Sequence, residues 1–318
     1  MKKIVNDSRL MIKVCDLYYN QGLNHQQIAD MINVSRPTIA KIISSSLDSG
    51  VVSIKINNLD SIKFWDLEQK LKNKYALKDV VIVDSVPNQK ETLGLACAKY
   101  LNNIVKNGDI VGVSMGETLN KVAYAPIEPS STGLTFIPLI GGMGQLGTQL
   151  HSNHIAEKMA SVYNGKFIPL YAPARVSSSK ARNEFIKEKS VAEVLKFHKD
   201  LDIALVGIGY PNENSSIKAT NYFRDNEIES LIDREVVGDI CMQFYDKNGD
   251  TSPYKNDNNV IALNINKLKK IPYSIGVAGN IDKLSAIKGA IKGSYINVLI
   301  TDFECAEAML SDSGRCEA

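Results

Sequence analysis

Two groups of residues have types and spacings that can do chemistry. The first lies between Leu23 and Ile42, where polar side chains gather at the starts of two short apolar-faced segments. Gln26 and Gln27 open one; Ser35, Arg36, Thr38 and Lys41 crowd the start of the other. A guanidinium grips a guanine edge with two donors, while hydroxyls, amides and ammonium groups serve phosphate oxygens. That use requires the second segment to enter a major groove N-terminus first, with Arg36 and Thr38 leading. The second group is a set of turns that follow apolar runs. Gly112-Val113-Ser114-Met115-Gly116-Glu117-Thr118 leads into a helical pattern, and such a turn collects backbone amides and a helix dipole into an anion site. Ile140-Gly141-Gly142-Met143-Gly144, Ala172-Pro173-Ala174-Arg175, Val206-Gly207-Ile208-Gly209 and Val277-Ala278-Gly279 join it. Taken singly, each glycine only closes a tight turn; taken together, they bring backbone close to something.

The first group needs a compact helical unit behind it. Leu10, Val14, Leu17 and Tyr18 follow helical spacing up to Gln21-Gly22, and Ile28, Ala29 and Ile32 line a second helix. Asn33-Val34-Ser35 makes the turn, with Val34 plugging the angle. Ser35 is expected to cap a third helix that has Pro37 in its first turn and Ile39, Ile42, Ile43 and Leu47 on its buried face. Gly50 stops it, and Val51, Ile54 and Ile56 alternate as in a wing strand. This is a helix-turn-helix pattern over residues 1–56. Residues 57–78 predict a connector helix carrying Leu59, Ile62, Phe64, Trp65, Leu67 and Leu71, packed on its own domain or forming a dimer seam.

The second group needs an α/β sheet. Apolar runs at 80–83, 110–114, 135–140, 167–170, 203–208, 273–277 and 296–300 alternate with helical patterns at 89–105, 151–163, 190–198 and 281–291. Strands buried on both faces and separated by helices predict a largely parallel sheet over residues 79–318. Ligands bind at the C-terminal ends of such strands, where the turns lie.

Composition agrees with two parts. The 318 residues are 44% apolar and 23% charged, ordinary for a globular chain. The net charge is only +2, which excludes a wholesale polyanion coat, yet residues 1–56 carry seven Lys/Arg against four Asp/Glu and the remainder 30 against 31. The positive charge is concentrated where the groove-reading residues are. The five cysteines are scattered without a CxxC pair, which predicts a reduced, cytoplasmic chain with no zinc site. No apolar leader and no run of 18 apolar residues occurs, so neither a signal peptide nor a membrane span is expected. His151 and His154, spaced i, i+3, lack a third ligand and predict no metal; the Asp246–Asp250 stretch lacks a calcium ladder and is read as a hairpin turn.

The whole chain resembles the SorC/DeoR-type transcriptional regulators of bacterial sugar metabolism. The resemblance is carried by Gly238-Asp239-Ile240 followed by Phe244-Tyr245-Asp246-Lys247-Asn248-Gly249, by Gly276-Val277-Ala278-Gly279-Asn280-Ile281-Asp282-Lys283, by Ala286-Ile287-Lys288-Gly289-Ala290, and by Tyr295-Ile296-Asn297-Val298-Leu299-Ile300-Thr301-Asp302. It implies a helix-turn-helix head on operator DNA and an effector domain akin to ribose-5-phosphate isomerase and glucosamine-phosphate deaminase. It further implies a phosphorylated sugar or polyol as effector, no cofactor, and a homo-oligomer, a dimer or a tetramer built as a dimer of dimers. By the same resemblance, Ser114, Met115, Gly116, Glu117 and Thr118, with Gly141, Gly142 and Gly144, form the phosphate and sugar cradle. Asp239 is similar to the acid that receives hydroxyls, and Lys283 to the lysine that closes on the effector. Deoxyribonucleoside regulators of the family carry a Schiff-base lysine just before the paired glycines; here Ile140 stands there, which excludes covalent capture by that route. Arg175 is a phosphate clamp or a surface arginine; Gly209 counts among the effector-binding residues, and Tyr210 after it edges the pocket or belongs to the core.

A regulator, most simply a repressor of a carbohydrate operon, is the expected function. The alternative is a sugar-phosphate isomerase or deaminase with an accessory helical domain, since fold does not dictate function. Glu117 or Asp239 would be its base. The basic head favours the regulator.

Overall fold

The computed structural model describes residues 7–54, 63–142, 148–210, 223–257 and 259–311. The chain divides into two compact units, 1–63 and 64–318.

In the first unit, α1 (Ser8–Cys15) runs on into a wide turn, Asp16–Asn20, and is followed by α2 (His25–Ile32) and α3 (Arg36–Asp48). Asn24 starts α2 with a reciprocal cap: its side chain accepts from the Gln26 and Gln27 amides, and the Gln27 side chain accepts from the Asn24 N–H. Asn33 takes the left-handed conformation that ends α2, and α3 begins three residues later. Val14, Ile28, Ile39 and Ile42 are completely buried at the centre, with Val34 packed on them. Burying each such side chain contributes about 1.5–3 kcal/mol. Two expectations need correction. Leu47 is exposed rather than part of the buried face: α3 packs at this level through the fully buried Ser46 and through Ser49, whose hydroxyl donates to Met11 Sδ at 3.3 Å, and Leu47 lies off that face. Residues 51–54 form no wing strand; Val52 instead folds its amide back on the Ser46 carbonyl, and Ile56 lies outside the described residues.

The second unit begins with α4 (Trp65–Tyr75), whose Leu71 is buried in the unit's own core. Of the expected connector residues, Leu59 and Ile62 lie outside the described residues. Strands β1 (Asp79–Val83), β2 (Ile110–Val113), β3 (Thr135–Pro138), β4 (Lys166–Phe167) and β5 (Ile203–Gly207) follow. A two-stranded hairpin, β6 (Gly238–Ile240) and β7 (Gln243–Tyr245), precedes β8 (Tyr273–Val277) and β9 (Val298–Asp302). Seven strands form one sheet in the order β1-β9-β8-β5-β2-β3-β4, every neighbouring pair parallel. All seven apolar runs are therefore strands of this sheet. The run at 167–170 leaves it early, because the Leu170 amide bonds to the Asn153 side chain. The run at 296–300 pairs instead over Val298–Asp302.

Helices cover the sheet: α5 (Gln89–Ile104), α6 (Glu117–Ala123), α7 (Ser152–Val162), α8 (Ser179–Phe185), α9 (Lys189–Phe197), α10 (Asp225–Asp233), α11 (Leu284–Lys292) and α12 (Phe303–Ser311). The chain runs β2-β3-β4 towards one edge, then β5-β8-β9 towards the other. The order reverses between β2 and β5, and their carboxyl ends flank the crevice where such sheets bind ligands.

Candidate functional site

The crevice collects the loops after β2, β5 and β8, three adjacent strands. After β5, Gly209 and Asp239 exchange backbone hydrogen bonds, N to O, at 2.9 and 3.1 Å, which pins the β6–β7 hairpin against the strand end. A side chain at Gly209 would collide with the Asp239 carboxylate, so glycine is required there. The hairpin tip, Cys241 and Met242, has φ of 53° and 57°, a primed two-residue turn made without glycine or asparagine. It is held by the carboxylate: Met242 N donates to Asp239 Oδ2 at 3.1 Å. Asp239 Oδ1 is buried with no hydrogen-bond partner among the described residues. Burial pushes the Asp239 carboxyl up to about 6, against the opposing pull of the Met242 amide and the Lys283 charge.

Lys283 closes the one-turn helix Ile281–Lys283 that leads into α11. The residue is half-buried, and its ammonium has no ion-pair partner among the described residues. Burial lowers its pKa, Asp282 raises it, Lys90 lowers it, and Asp239 and Glu117 raise it in smaller measure. Asp239 and Lys283 thus feel each other's charge without pairing. A half-satisfied buried carboxylate beside an unpaired, partly desolvated ammonium costs stability unless a ligand completes both.

After β2, Ser114 is buried, its amide bonded to the Leu205 carbonyl and its hydroxyl accepting from the Cys241 thiol at 3.4 Å. Burial pushes that thiol up to about 12, so it stays protonated. The Gly116 amide is already used, donating to Leu150 O at 3.1 Å. The amides of Glu117 and Thr118 open α6 without a side-chain cap, and Glu117 pairs with Lys90. Met115 packs on the core.

Other expected site residues are placed differently. The Gly141 and Gly142 amides both donate to other segments, to Ile261 O at 2.9 Å and Ala172 O at 2.8 Å, so these two N–H groups are already used. Gly144 lies outside the described residues. Ile140 is fully buried. Arg175 is neither a surface residue nor a free clamp: it pairs with Glu227 at 2.8 Å and stacks on Phe223 at 4.0 Å. His154 bonds to the Tyr124 hydroxyl at 3.0 Å. Asp246 Oδ1 accepts from the Asn248 and Asp250 amides; the segment turns, but no strand follows, and the hairpin is the earlier one at 241–242.

In the helical head, Ser35, Arg36 and Lys41 are exposed and Thr38 is half-buried on the start of α3. The Ser35 hydroxyl does not cap the helix backbone; it bonds to the Thr38 hydroxyl at 2.8 Å, while the Ser35 carbonyl accepts from the Thr38 and Ile39 amides at 2.9 and 3.1 Å. The Gln26 amide donates to Asp30 at 2.8 Å and the Gln27 oxygen serves the Asn24 cap.

Sequence reasoning missed Met242, Cys241 and Lys90. The 241–242 turn carries none of the residues that signal a primed turn, and the ion pair between Lys90 and Glu117 joins the first turns of two different helices, α5 and α6.

Comparison with known proteins defines the class. Residues 60–311 match the family described as "Putative sugar-binding domain". The sorbitol operon regulator of Klebsiella pneumoniae is 32% identical over 311 residues, 96% of this chain and 98% of that protein. Its full-length crystal structure superposes with a TM-score of 0.72, over 96% of this chain and 99% of that one. The deoxyribonucleoside regulator of Bacillus subtilis is 30% identical over 311 residues, 96% of this chain and 98% of that protein. These are sugar-responsive transcriptional regulators, and that is the class of protein this fold and crevice define. The chain belongs to the SorC/DeoR-type family of sugar-binding transcriptional regulators, and it is a regulator rather than a sugar-phosphate enzyme. No helix among the described residues is long and apolar enough to cross a membrane.

Proposed function

We propose that the chain is a repressor of a carbohydrate operon, with residues 1–56 reading operator DNA and residues 79–318 binding a phosphorylated sugar or polyol. The reading rests on one observation above all: among the described residues, Asp239 against the end of β5 has a buried oxygen without a hydrogen-bond partner, and Lys283 in the loop after β8 has an ammonium without an ion pair. A phosphate taken out of water needs donors and a cation; hydroxyls need an acceptor. Lys283 and the Glu117 and Thr118 amides supply the first set, Asp239 Oδ1 the second. Asp239 would repel phosphate, so it belongs at the hydroxyl end. Ser35, Arg36, Thr38 and Lys41 lead α3 into the major groove, and Gln26 and Gln27 flank it on the backbone side. One head reads few base pairs, so at least a dimer assembles, and a tetramer fits paired operators.

The relatives' names, sorbitol and deoxyribonucleoside, suggest both polyol and pentose derivatives as candidates; Ile140 disfavours a Schiff base with the latter. Fluorescence anisotropy on DNA upstream of its own gene, with a panel of sugar and polyol phosphates, tests the reading. Binding to that DNA, weakened or strengthened at least tenfold by one phosphate ester, is expected. Absence of DNA binding, or indifference to the entire panel, contradicts it.

A further inference from the structure

The loop that carries Lys283 is held in a strained shape by one buried carboxylate. Asn280 sits at φ 76°, ψ 145°, a region reached almost only by glycine and costly for other residues. Its amide donates to Asp302 Oδ2 at 2.6 Å, and a side chain at the preceding Gly279 would collide with that same oxygen. Lys283 N in turn donates to Asn280 O at 3.1 Å, so the ammonium's position follows from the turn. Asp302, itself 1% exposed, also accepts from Ser85 Oγ at 3.1 Å and from Cys305 N at 3.0 Å through Oδ1. The second contact fixes the start of α12. That helix lies along α4, with Phe303 stacked on Phe64 at one end and Met309 O accepting from the Tyr75 hydroxyl at 2.8 Å and Lys74 Nζ at 2.9 Å at the other.

We propose that Asp302 is the positioning residue of the effector site: its carboxylate clamps the strained Gly279-Asn280 turn that aims Lys283 and ties that turn to α12 and α4. The clamp's part in effector binding rests on Lys283 meeting the effector. Through it, a ligand that pulls on Lys283 pulls on α4, the first helix after the division at residue 63.

The test uses the full-length protein and Asp302→Asn, which keeps the shape but replaces one acceptor with a donor facing donors. Without ligand, trace acetylation of Lys283, with Lys166 as internal standard, should quicken at least threefold, and deuterium uptake over 279–284 at least tenfold. With the sugar-phosphate panel, the concentration that alters DNA binding should rise at least tenfold. Ser85→Ala, which spares the Asn280 bond, should leave the Lys283 acetylation rate as it is. An unchanged acetylation rate in Asp302→Asn overturns the clamp. Faster acetylation with an unchanged effector concentration makes Asp302 a scaffold residue and overturns its role in the site. If the parent protein ignores the panel, the proposed effector class fails, and the acetylation rate alone decides the clamp. Should the Asn variant not fold, Gly279→Ala presses on the same carboxylate and is read by the same measurements.

Discussion

Asp239 carries a cost that pH can reveal. Its carboxyl is raised by burial to about 6, so the folded state binds its proton more tightly than the unfolded chain does. Its contribution to stability is full below about pH 4, the ordinary range of an aspartate, and is lost as pH rises through about 6. Asp239→Asn removes the ionisation and keeps the size. The ligand-free variant should therefore melt higher than the parent at pH 7.5, by up to about 3 kcal/mol at the limit of the shift. At pH 4 that advantage should vanish. Melting curves at the two values check this, and equal differences at both would mean that Asp239 is not the strained group. Arg36 tests the other end of the chain. It is exposed at the first position of α3, and if it reads a base, Arg36→Ala should cost about 1–3 kcal/mol of operator affinity. A gel shift with unchanged affinity in the folded variant would remove it from the interface.

At the scale of elements, the crevice depends on the joint between β5 and the β6–β7 hairpin. Gly209→Ala places a methyl group against the Asp239 carboxylate and should cost about 1–3 kcal/mol, read as a lower denaturant midpoint. The elements themselves were largely legible. A run such as 203–208 is apolar throughout because both faces of a parallel strand are covered, and burial of every residue from Ile203 to Val206 bears that out. The helix starts were less legible: the sequence offered Ser35 as a cap, which makes no bond to the helix backbone through its side chain, while the reciprocal cap at Asn24 was not read. The pairing of Ser35 with Thr38 was not legible either, because either hydroxyl can serve backbone or neighbour and only the conformation decides. At the site, Asp239 and Lys283 came from resemblance to a family rather than from spacing. Nothing local marks an aspartate whose importance lies in a missing hydrogen bond. The Gly141-Gly142 pair illustrates the converse: its glycines advertise an open cradle, yet their amides are spent on the segments at 172 and 261. Tertiary partners far along the chain are invisible to a local pattern.

For the whole molecule, charge and assembly are the relevant quantities. In the proposed reading, the excess of base in residues 1–56, seven against four, would attract DNA weakly and non-specifically. Specificity needs two heads spaced on one duplex, so sedimentation at micromolar concentration should give a dimer or tetramer. A monomer with and without ligand would contradict the assembly. The central claim is that the sheet crevice takes a phosphate ester between Lys283 and Asp239. Calorimetric titration of the effector found in the panel, beside its unphosphorylated counterpart, in parent and Lys283→Ala protein, tests it most directly. The account predicts that the parent binds the phosphate at least a hundredfold more tightly than the free sugar or polyol, and that Lys283→Ala removes most of that preference. Equal affinity for the two compounds, or a preference that survives in the variant, would contradict it.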